Sequence, residues 1–357
     1  MKKIGIITIN DNNNYGNRLQ NYATQEILKK LNIDVITLKN RPGMNFKEKF
    51  IKGYIKKFLS EVKFFIKKKK EREKCFLAFN RNVRFSKFYV TPFSNIKDKY
   101  DYFLVGSDQV WNPTMGRLSE VDLLNFADNK QKIAFSASFG ISELPQNINK
   151  TVVKNSLKSF DAISVREDAG KSIVEELTER KDVEVLIDPT MLLLAEEWDK
   201  VSRKPKQLDS LKTSKYILNY FLGELSEKRK NEINRIAKEN NCEVINILDK
   251  NSPFYQTGPG EFLYLEKNAF LICTDSFHSS VFAILYNRPF IIFDREDSHV
   301  CMNSRIETLI NKLQLKNRKF NDKITPENIN HDYKMAYSIL EKEREKSMQF
   351  LKKTLEI

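Results

Sequence analysis

Residues 268–294 read NAFLICTDSFHSSVFAILYNRPFIIFD, and no other stretch indicates the fold so clearly. An apolar run typical of a buried strand leads into a polar cluster, then into an apolar helix and a second buried strand. The polar cluster, Thr274 to Ser280, is therefore predicted at the carboxyl end of a strand, where α/β sheets place their ligands. The start of a helix favours an anion there. His278 is informative in this position because the chain has only three histidines.

Composition favours an ordinary protein of two domains. The chain has 357 residues, more than one hydrophobic core usually serves. No apolar run reaches the roughly 18–20 residues that cross a bilayer. The apolar stretch after Lys2 and Lys3 is short, alternates like a strand and lacks a small-residue cleavage site, so we expect no export and a cytoplasmic location. The four cysteines are scattered without C-x-x-C spacing, which favours free thiols over disulfides or a metal site.

The net charge of +14 is unevenly distributed along the chain. Residues 47–74 contain twelve basic and four acidic side chains, and apolar residues, most of them aromatic, recur among them at three- and four-residue steps. This pattern predicts an amphipathic helix with a basic face. The helix either packs its aromatic stripe on the domain or contacts an anionic membrane as a peripheral element. We expect no nucleic-acid partner, because no recognised binding motif accompanies the charge.

Short apolar runs alternate with amphipathic ones in two successive series. This rhythm predicts mostly parallel sheets covered by helices on both faces. We therefore place one Rossmann-like domain at 1–187, a second at 188–332 and an amphipathic helix at 333–357. The main predicted strands are Ile4–Ile9, Ile33–Leu38, Tyr102–Val105, Ile133–Ala137, Ala162–Val165, Val183–Ile187, Tyr216–Phe221, Cys242–Leu248 and Phe270–Cys273. The main predicted helices are Asn17–Leu31, Glu167–Leu177, Lys228–Asn240 and, after a Gly-Pro-Gly turn, Glu261–Asn268.

An asparagine-rich loop, Asn10 to Asn17, follows the first predicted strand. It lacks the G-x-G-x-x-G pattern of dinucleotide sites. Its amide groups suit hydroxyl-rich ligands because they both donate and accept hydrogen bonds. Asn17 is expected to cap the following helix. The alternative is that the asparagines only form a turn.

A second polar group follows the predicted strand that ends at Val105. Gly106 permits close approach of the backbone to a ligand, and Ser107 and Asp108 come next at the strand end. Trp111 offers a flat apolar face that either stacks on a sugar or fills the core.

Arg166 leaves the end of another predicted strand just before a helix. Its guanidinium is suited to hold a carboxylate or a phosphate with two hydrogen bonds. The alternative is a structural ion pair with Glu167 or Asp168.

His278 can serve as an acid, a base or an oxyanion stabiliser, because a histidine titrates near neutral pH. The alternative is a histidine packed at the helix start, and Asp275 is a possible orienting partner. A serine hydrolase is excluded because the chain has no G-x-S-x-G. His299 and His331 show no metal-ligand spacing with His278, so we expect no metal site.

Taken in order, these motifs resemble the polysaccharide pyruvyl transferase family over nearly the whole chain. The segments that carry the resemblance are YGNRLQNYATQ, DYFLVGSDQVWNP, IAFSASFG, ISVREDAG, VLIDPTMLL, NAFLICTDSFHSSVFAILYNRPFIIF and MNSRIETL. The resemblance implies two facing Rossmann-like domains of the GT-B type. It also implies transfer of pyruvate from phosphoenolpyruvate to a sugar as a cyclic ketal, without a metal or redox cofactor.

The resemblance assigns roles to several residues at the strand ends. Arg166 matches the donor-binding arginine of the family, and His278 matches the histidine that protonates the methylene carbon of the donor. The flanking residues Ser276, Phe277 and Ser279 are then expected on the donor side.

One departure concerns the positive charge near this histidine. Many members carry Arg-Leu-His where this chain has Ser276-Phe277-His278. We therefore expect Arg305 or Arg295 to supply the missing charge.

The acceptor is expected in the N-terminal domain, at Asn14, Asn17, Ser107 and Trp111. Asp108 is predicted as the general base because a carboxylate can accept the proton of a sugar hydroxyl. A lipid-linked oligosaccharide acceptor would explain the basic segment 47–74, whereas a free or nucleotide-linked acceptor would leave it structural.

Two other functions remain open from the sequence. A glycosyltransferase that uses a nucleotide sugar is one, because fold alone does not determine function. A non-catalytic protein that binds sugars or anions is the other, in which case the missing arginine marks an inactive donor site.

Overall fold

The computed structural model describes residues 1–11, 13–40, 59–296 and 304–357. The chain divides into two compact units, Met1–Asp188 and Pro189–Ile357. Each unit has its own sheet, and every strand pairing in both sheets is parallel. The predicted α/β fold class with parallel sheets is confirmed.

The first unit contains a seven-stranded sheet in the order β3-β2-β1-β4-β5-β6-β7. Its first six strands follow the 3-2-1-4-5-6 order of the Rossmann fold. Because β1 and β4 are neighbours, the order in which successive strands are added to the sheet reverses between them, and this is where such sheets bind ligands. The strands are β1 (Lys3–Ile7), β2 (Asp34–Asn40), β3 (Phe85–Val90), β4 (Tyr102–Val105), β5 (Lys132–Ala137), β6 (Ala162–Val165) and β7 (Glu184–Val185). The helices are α1 (Tyr15–Lys30), α2 (Leu59–Phe79), α3 (Lys150–Lys158) and α4 (Asp168–Thr178).

The second unit contains a four-stranded sheet in the order β11-β10-β8-β9. Here the reversal lies between β8 and β10, which pair in parallel. The strands are β8 (Tyr216–Tyr220), β9 (Glu243–Asn246), β10 (Leu271–Thr274) and β11 (Phe290–Ile292). The helices are α5 (Ala195–Asp199), α6 (Glu227–Glu239), α7 (Pro259–Asn268), α8 (Phe277–Leu285), α9 (Ser304–Lys312), α10 (Pro326–Ile329) and α11 (Lys334–Thr354).

Different helices cover the two faces of the second sheet. On one face, Ile217 of β8 packs with Ile233 and Ile236 of α6. On the other, Tyr220 of β8 meets Phe262 of α7 at 5.3 Å between ring centroids. The Phe262 ring also contacts Phe282 of α8. Alternate residues of a strand point to opposite faces, so β8 separates an α6 face from an α7/α8 face.

Some predicted elements differ from those in the structure. Asn17 does not cap α1, because the helix begins two residues earlier and the Asn14 side chain accepts a hydrogen bond from the Asn17 N–H. The predicted Gly-Pro-Gly turn is wrong, since Gly258 is the N-cap of α7 and Pro259 its first residue. Proline suits that position because its missing N–H would have no helical partner there. Strand β3 escaped prediction because three consecutive residues in it are exposed and its sequence shows no clear alternation.

The predicted basic helical segment 47–74 lies in large part outside the described residues. In the part that the structure describes, α2 packs against α1 through stacked rings of Tyr15 and Phe76, 5.2 Å apart. Arg72 of α2 is buried and donates a hydrogen bond of 2.5 Å to the Tyr15 hydroxyl. At least this basic side chain therefore belongs to the packing of α2 on α1.

Within the described ranges, none of the helices combines the length and the apolar character that a membrane span requires.

Candidate functional site

Four side chains from separate segments of the first unit form one buried polar network next to the β1/β4 reversal. Arg166, after β6, donates hydrogen bonds to Asp188 at 2.5 Å and to Asp108 at 3.2 Å. Asn17 of α1 donates from its side-chain amide to the other oxygen of Asp108. The structure therefore brings together three of the residues predicted from sequence, Asn17, Asp108 and Arg166. Asp188, for which the sequence suggested no role, extends this network from Arg166 to Ser107.

A second layer of hydrogen bonds holds the turn after β4. The Ser107 hydroxyl donates to Asp188 at 2.5 Å, and the Ser107 N–H donates to Gln20 at 3.1 Å. Gln20 in turn donates to the Thr8 hydroxyl at 2.7 Å. Ser107 is fully buried. The hydroxyl predicted to bind an acceptor is thus engaged in positioning the loop.

The backbone of this turn explains the glycine at its start. Gly106 has φ +125°, and a Cβ added there would lie 2.2 Å from the carbonyl oxygen of Phe135. The close approach that requires glycine is therefore to strand β5 and not to a ligand. Asp108 has φ +65°, in the left-handed region that few non-glycine residues adopt. Such conformations occur more often at functional sites than elsewhere.

Arg166 carries the positive charge of this network and contacts the carboxylates of Asp188 and Asp108. Burial by itself lowers the pKa of this arginine. The negative charges of Asp188, Asp108 and Glu167 raise it by more than burial lowers it, so the pKa lies above its ordinary value. The guanidinium therefore stays charged, and its side chain is only 1% exposed. The predicted alternative was an ion pair with Glu167 or Asp168, and it did not include Asp188 or Asp108. Arg166 pairs with Asp188 and Asp108 because the ends of β4, β6 and β7 lie at one edge of the sheet.

Two predicted acceptor-side residues have structural roles. Trp111 is fully buried, packs against Phe139 and Phe160, and donates its indole N–H to the carbonyl of Asp122. This burial favours the other predicted alternative, in which Trp111 fills the core. Asn14 is the N-cap of α1.

Asp188 could have been found by the same rule that found the others. It follows the apolar run VEVLI and precedes a proline, so it stands where a strand ends. Its partner Ser107 is 81 residues away in sequence. The sequence around Asp188 therefore indicates a carboxylate at a strand end. It does not indicate that this carboxylate accepts a hydrogen bond from Ser107.

In the second unit, His278 is the second residue of α8 and is buried. Strand β10 leads into this helix through a tight turn, in which the Thr274 hydroxyl accepts from the Ser276 N–H at 3.0 Å and donates to the Tyr220 carbonyl at 2.6 Å. Ser276 is the N-cap. The ring of Phe277 stands perpendicular to the imidazole with centroids 5.2 Å apart. The imidazole is thus placed at the start of a helix, where partial positive charge favours an anion.

Glu266 of α7 lies beside the start of α8. Its carboxyl group is fully buried and accepts a hydrogen bond of 2.6 Å from the Ser279 hydroxyl. Burial raises the pKa of Glu266 well above its usual value of 4.5, and the Ser279 hydrogen bond offsets only part of this rise. Ser279, predicted on the donor side, therefore ties α8 to α7.

This raised pKa predicts a pH-dependent stability of the second unit. The folded unit binds the proton of Glu266 more tightly than the unfolded chain, so its stability should decline as the pH rises above 4.5 toward the folded-state pKa. We expect Glu266→Gln to remove this decline. The free energy of unfolding of the variant, measured relative to that of wild type, should then increase with pH by up to about 1.4 kcal/mol per pH unit.

Urea unfolding between pH 5 and pH 8 measures the effect of Glu266→Gln. The chain has two tryptophans, one in each unit, so a Trp111→Phe background leaves Trp198 to report on the second unit. Glu224→Gln, at an exposed position of the same unit, is the control. A difference between variant and wild type that stays constant over this pH range would contradict the prediction.

Asp275 and Arg295 form an ion pair at the same strand end. Asp275 accepts hydrogen bonds from the backbone N–H groups of Leu222 and Gly223, and the Arg295 Nε atom lies 3.1 Å from it. The predicted orientation of His278 by Asp275 is therefore wrong, because the carboxylate faces the loop after β8. Of the two candidate arginines, Arg295 lies against this turn, and Arg305 lies in the first turn of α9.

The two parallel sheets, each with a polar cluster at a strand reversal, define a protein with two Rossmann-like units. The chain belongs to the polysaccharide pyruvyl transferase family, whose model matches residues 14–298. The members of this family are transferases that pyruvylate polysaccharides, which implies a saccharide acceptor. No curated protein sequence matched the chain.

The chain is similar to several solved structures at low sequence identity. The UDP-GlcNAc 2-epimerase of Methanocaldococcus jannaschii, in complex with UDP-GlcNAc and UDP, is 17% identical, with 95% of this chain and 98% of that chain covered and a TM-score of 0.47. The UDP-GlcNAc 2-epimerase of Neisseria meningitidis, bound to UDP-GlcNAc, is 12% identical, with 99% of each chain covered and a TM-score of 0.49. The Arabidopsis thaliana protein UGT89C1, complexed with UDP, is 9% identical over 99% and 95%, with a TM-score of 0.41.

Proposed function

We propose that this protein transfers pyruvate from phosphoenolpyruvate to two hydroxyls of one sugar in a precursor of a capsular or other surface polysaccharide. Family membership supports the pyruvyl transfer. The observation that carries the donor assignment is the position of His278 in the first turn of α8, at the carboxyl end of a parallel strand. Phosphoenolpyruvate is a small dianionic to trianionic acid, and such a helix start favours anions.

The proposed reaction has three steps. His278 donates a proton to the methylene carbon of the donor, which becomes a methyl group and leaves an oxocarbenium-like centre at the neighbouring carbon. A sugar hydroxyl adds to that centre and loses its proton. Phosphate then departs with the electrons of its C–O bond, and a second hydroxyl closes the ketal ring with loss of its own proton. The two hydroxyls release two protons, of which one returns the imidazole to its charged form and the other leaves with the phosphate, so the cycle is balanced.

The network of the first unit is proposed to position groups for this reaction. Both oxygens of Asp108 already accept hydrogen bonds, one from Arg166 and the other from Asn17. We therefore propose that Asp108 orients these two donors, in place of the general-base role that the sequence suggested. The donor-binding role of Arg166 remains part of the proposal, although its charge is shared with two carboxylates.

Arg295 is the better supported replacement for the missing family arginine, because it is held beside the turn that leads to His278. We expect Arg295→Ala to raise the KM for phosphoenolpyruvate by about 10- to 100-fold, since hydrogen bonds to charged groups contribute about 1.5–3 kcal/mol. Initial rates at varied donor concentration measure this. Arg305→Ala tests the other candidate in the same assay.

An exposed arginine of the same unit provides the control. Arg235→Ala removes a guanidinium that pairs with Glu232 and Glu239 on α6, and the KM should stay at the wild-type value. If neither Arg295→Ala nor Arg305→Ala changed the KM, the replacement hypothesis would be abandoned.

The proposed location is the cytoplasm, with peripheral contact to anionic lipid through the basic segment 47–74. A lipid-linked acceptor would give such contact a purpose. Co-sedimentation with vesicles of anionic and of neutral lipid tests this part, and equal binding to both would refute it.

The decisive test of the function is the product. Purified protein is incubated with phosphoenolpyruvate and a panel of short glycosides, and phosphate release and product mass are measured. We expect phosphate release that depends on the glycoside, and a product heavier by one pyruvate less one water. Stabilisation by UDP or GDP, without any by phosphoenolpyruvate, would instead favour a glycosyltransferase. If none of the glycosides increased phosphate release, pyruvyl transfer would be refuted.

A further inference from the structure

A cavity lies in the second unit, at the ends of β8 and β9 under helix α6. Its volume is about 450 Å³, within the roughly 300–1,000 Å³ that small-molecule sites occupy. Polar lining is provided by Asn219 of β8, Asn246 of β9, and Lys230 and Asn234 of α6. No role in the proposed pyruvyl transfer uses these residues.

This cavity is on the opposite face of the sheet from His278. Asn219 lies two residues after Ile217, whose side chain packs with α6, and residues two apart in a strand share a face. The helix that carries His278 covers the other face, where Phe282 contacts Phe262 and Phe262 contacts Tyr220. The cavity and the start of α8 are therefore separated by the sheet.

Asn219 supplies an unsatisfied polar atom in the wall of this cavity. The residue is only 6% exposed. Its Nδ2 atom donates to Asn246 Oδ1 at 2.9 Å, while its Oδ1 atom has no hydrogen-bond partner among the described residues. Leaving a buried acceptor unpaired costs about 1–3 kcal/mol, and a hydroxyl donor of a ligand would remove that cost.

The charges of the lining indicate a neutral ligand. Lys230 is paired with Glu227 at 2.6 Å, and Asp249 accepts a hydrogen bond from the Asn251 N–H at 2.8 Å. The site therefore has no surplus positive charge for a phosphate. Amides predominate, and an amide can both donate to and accept from a hydroxyl group. Apolar lining from Phe221, Leu225, Val244 and Leu248 suits the C–H face of a sugar ring.

We propose that this cavity binds one or two neutral sugar units, as a saccharide site separate from the reaction centre. A polysaccharide precursor contains several sugar units, so units other than the modified one are available to bind here. The inference concerns binding only and stands whether or not the protein transfers pyruvate.

Calorimetric titration of the full chain with methyl glucoside, methyl galactoside, methyl mannoside, lactose and cellobiose tests this proposal. At least one of these should bind saturably. Asn234→Ala should weaken that binding by about two- to tenfold, the worth of one hydrogen bond. Asn219→Leu, which removes the buried amide at similar size, should weaken it further. Binding should persist in His278→Ala and in the absence of phosphoenolpyruvate.

Asn231→Ala is the matched control, because Asn231 is an exposed asparagine on the same helix, three residues before Asn234 and outside the cavity lining. It should leave the affinity unchanged. The proposal is overturned if none of the five sugars binds, if uridine or inorganic phosphate binds in their place, or if Asn231→Ala weakens binding as much as Asn234→Ala. If Asn219→Leu fails to fold, the Asn234 and Asn231 pair decides the matter alone.

Discussion

His278→Ala should lower kcat for pyruvyl transfer by about 10²–10⁴-fold, the usual contribution of a positioned general acid. The reason is that the proposed first step needs a proton at the methylene carbon of phosphoenolpyruvate, and His278 is the group that supplies it. The KM for the donor should change much less, because in the proposed site the helix start and an arginine bind the anion. Initial-rate phosphate release with wild type and variant measures both quantities.

His331→Ala is the control for this substitution. His331 belongs to the same unit, is partly exposed, and contacts the Asn287 carbonyl at 3.1 Å. Its removal should leave kcat near the wild-type value. Far-UV circular dichroism and thermal unfolding of His278→Ala should match wild type closely, since the lost side chain is at a helix end. A correctly folded His278→Ala that kept kcat within threefold of wild type would remove the proton-donor assignment.

Arg166→Ala should destabilise the first unit by about 3–5 kcal/mol, the cost of removing one partner of a buried ion pair. The substitution leaves the carboxylates of Asp188 and Asp108 buried without the guanidinium that both contact. Like charges held close together in a poorly solvated site repel, so the effect should exceed that of losing an ordinary surface pair.

Urea unfolding in a Trp198→Phe background measures this loss, because Trp111 then reports on the first unit alone. Arg166→Lys, which keeps the charge but loses the two-pronged geometry, should fall between wild type and Arg166→Ala. It remains measurable if the alanine variant does not fold.

Lys171→Ala is the matched control for the lost ion pair. Lys171 and Glu175 form a partly exposed pair at 3.8 Å on α4, and surface pairs contribute about 0–1 kcal/mol. A loss of under about 1 kcal/mol for Arg166→Ala would mean that the network does not hold the first unit together.

Much of the fold was predictable because hydrophobic periodicity is a local property. Strands β4 and β6 were predicted with the bounds that the structure has, Tyr102–Val105 and Ala162–Val165. Their apolar residues are flanked by polar ones that mark where each strand ends. The same rule placed Asp108 and Arg166 at strand ends, and Asn17 was expected at the start of the first helix; these side chains do meet.

The errors arose where a residue type suits two environments. Trp111 can stack on a sugar or fill a core, and only its packing against Phe139 and Phe160 decides between them. Asp275 stands three residues before His278 in sequence, yet its carboxylate points to the loop after β8. Local spacing predicted that both residues follow strand ends. It did not determine which way their side chains face.

The sequence by itself determined the succession of strands and helices, the parallel sheets and the positions of the polar strand ends, because these follow from side-chain pattern over a few residues. Only the tertiary structure decided which polar groups are partners. Asn17 and Asp108 are 91 residues apart, and Ser107 and Asp188 are 81 residues apart. Such pairs form because the strand order places β1 beside β4 and the ends of β6 and β7 at the same edge. That order depends on the packing of the whole sheet, which no short stretch of sequence encodes.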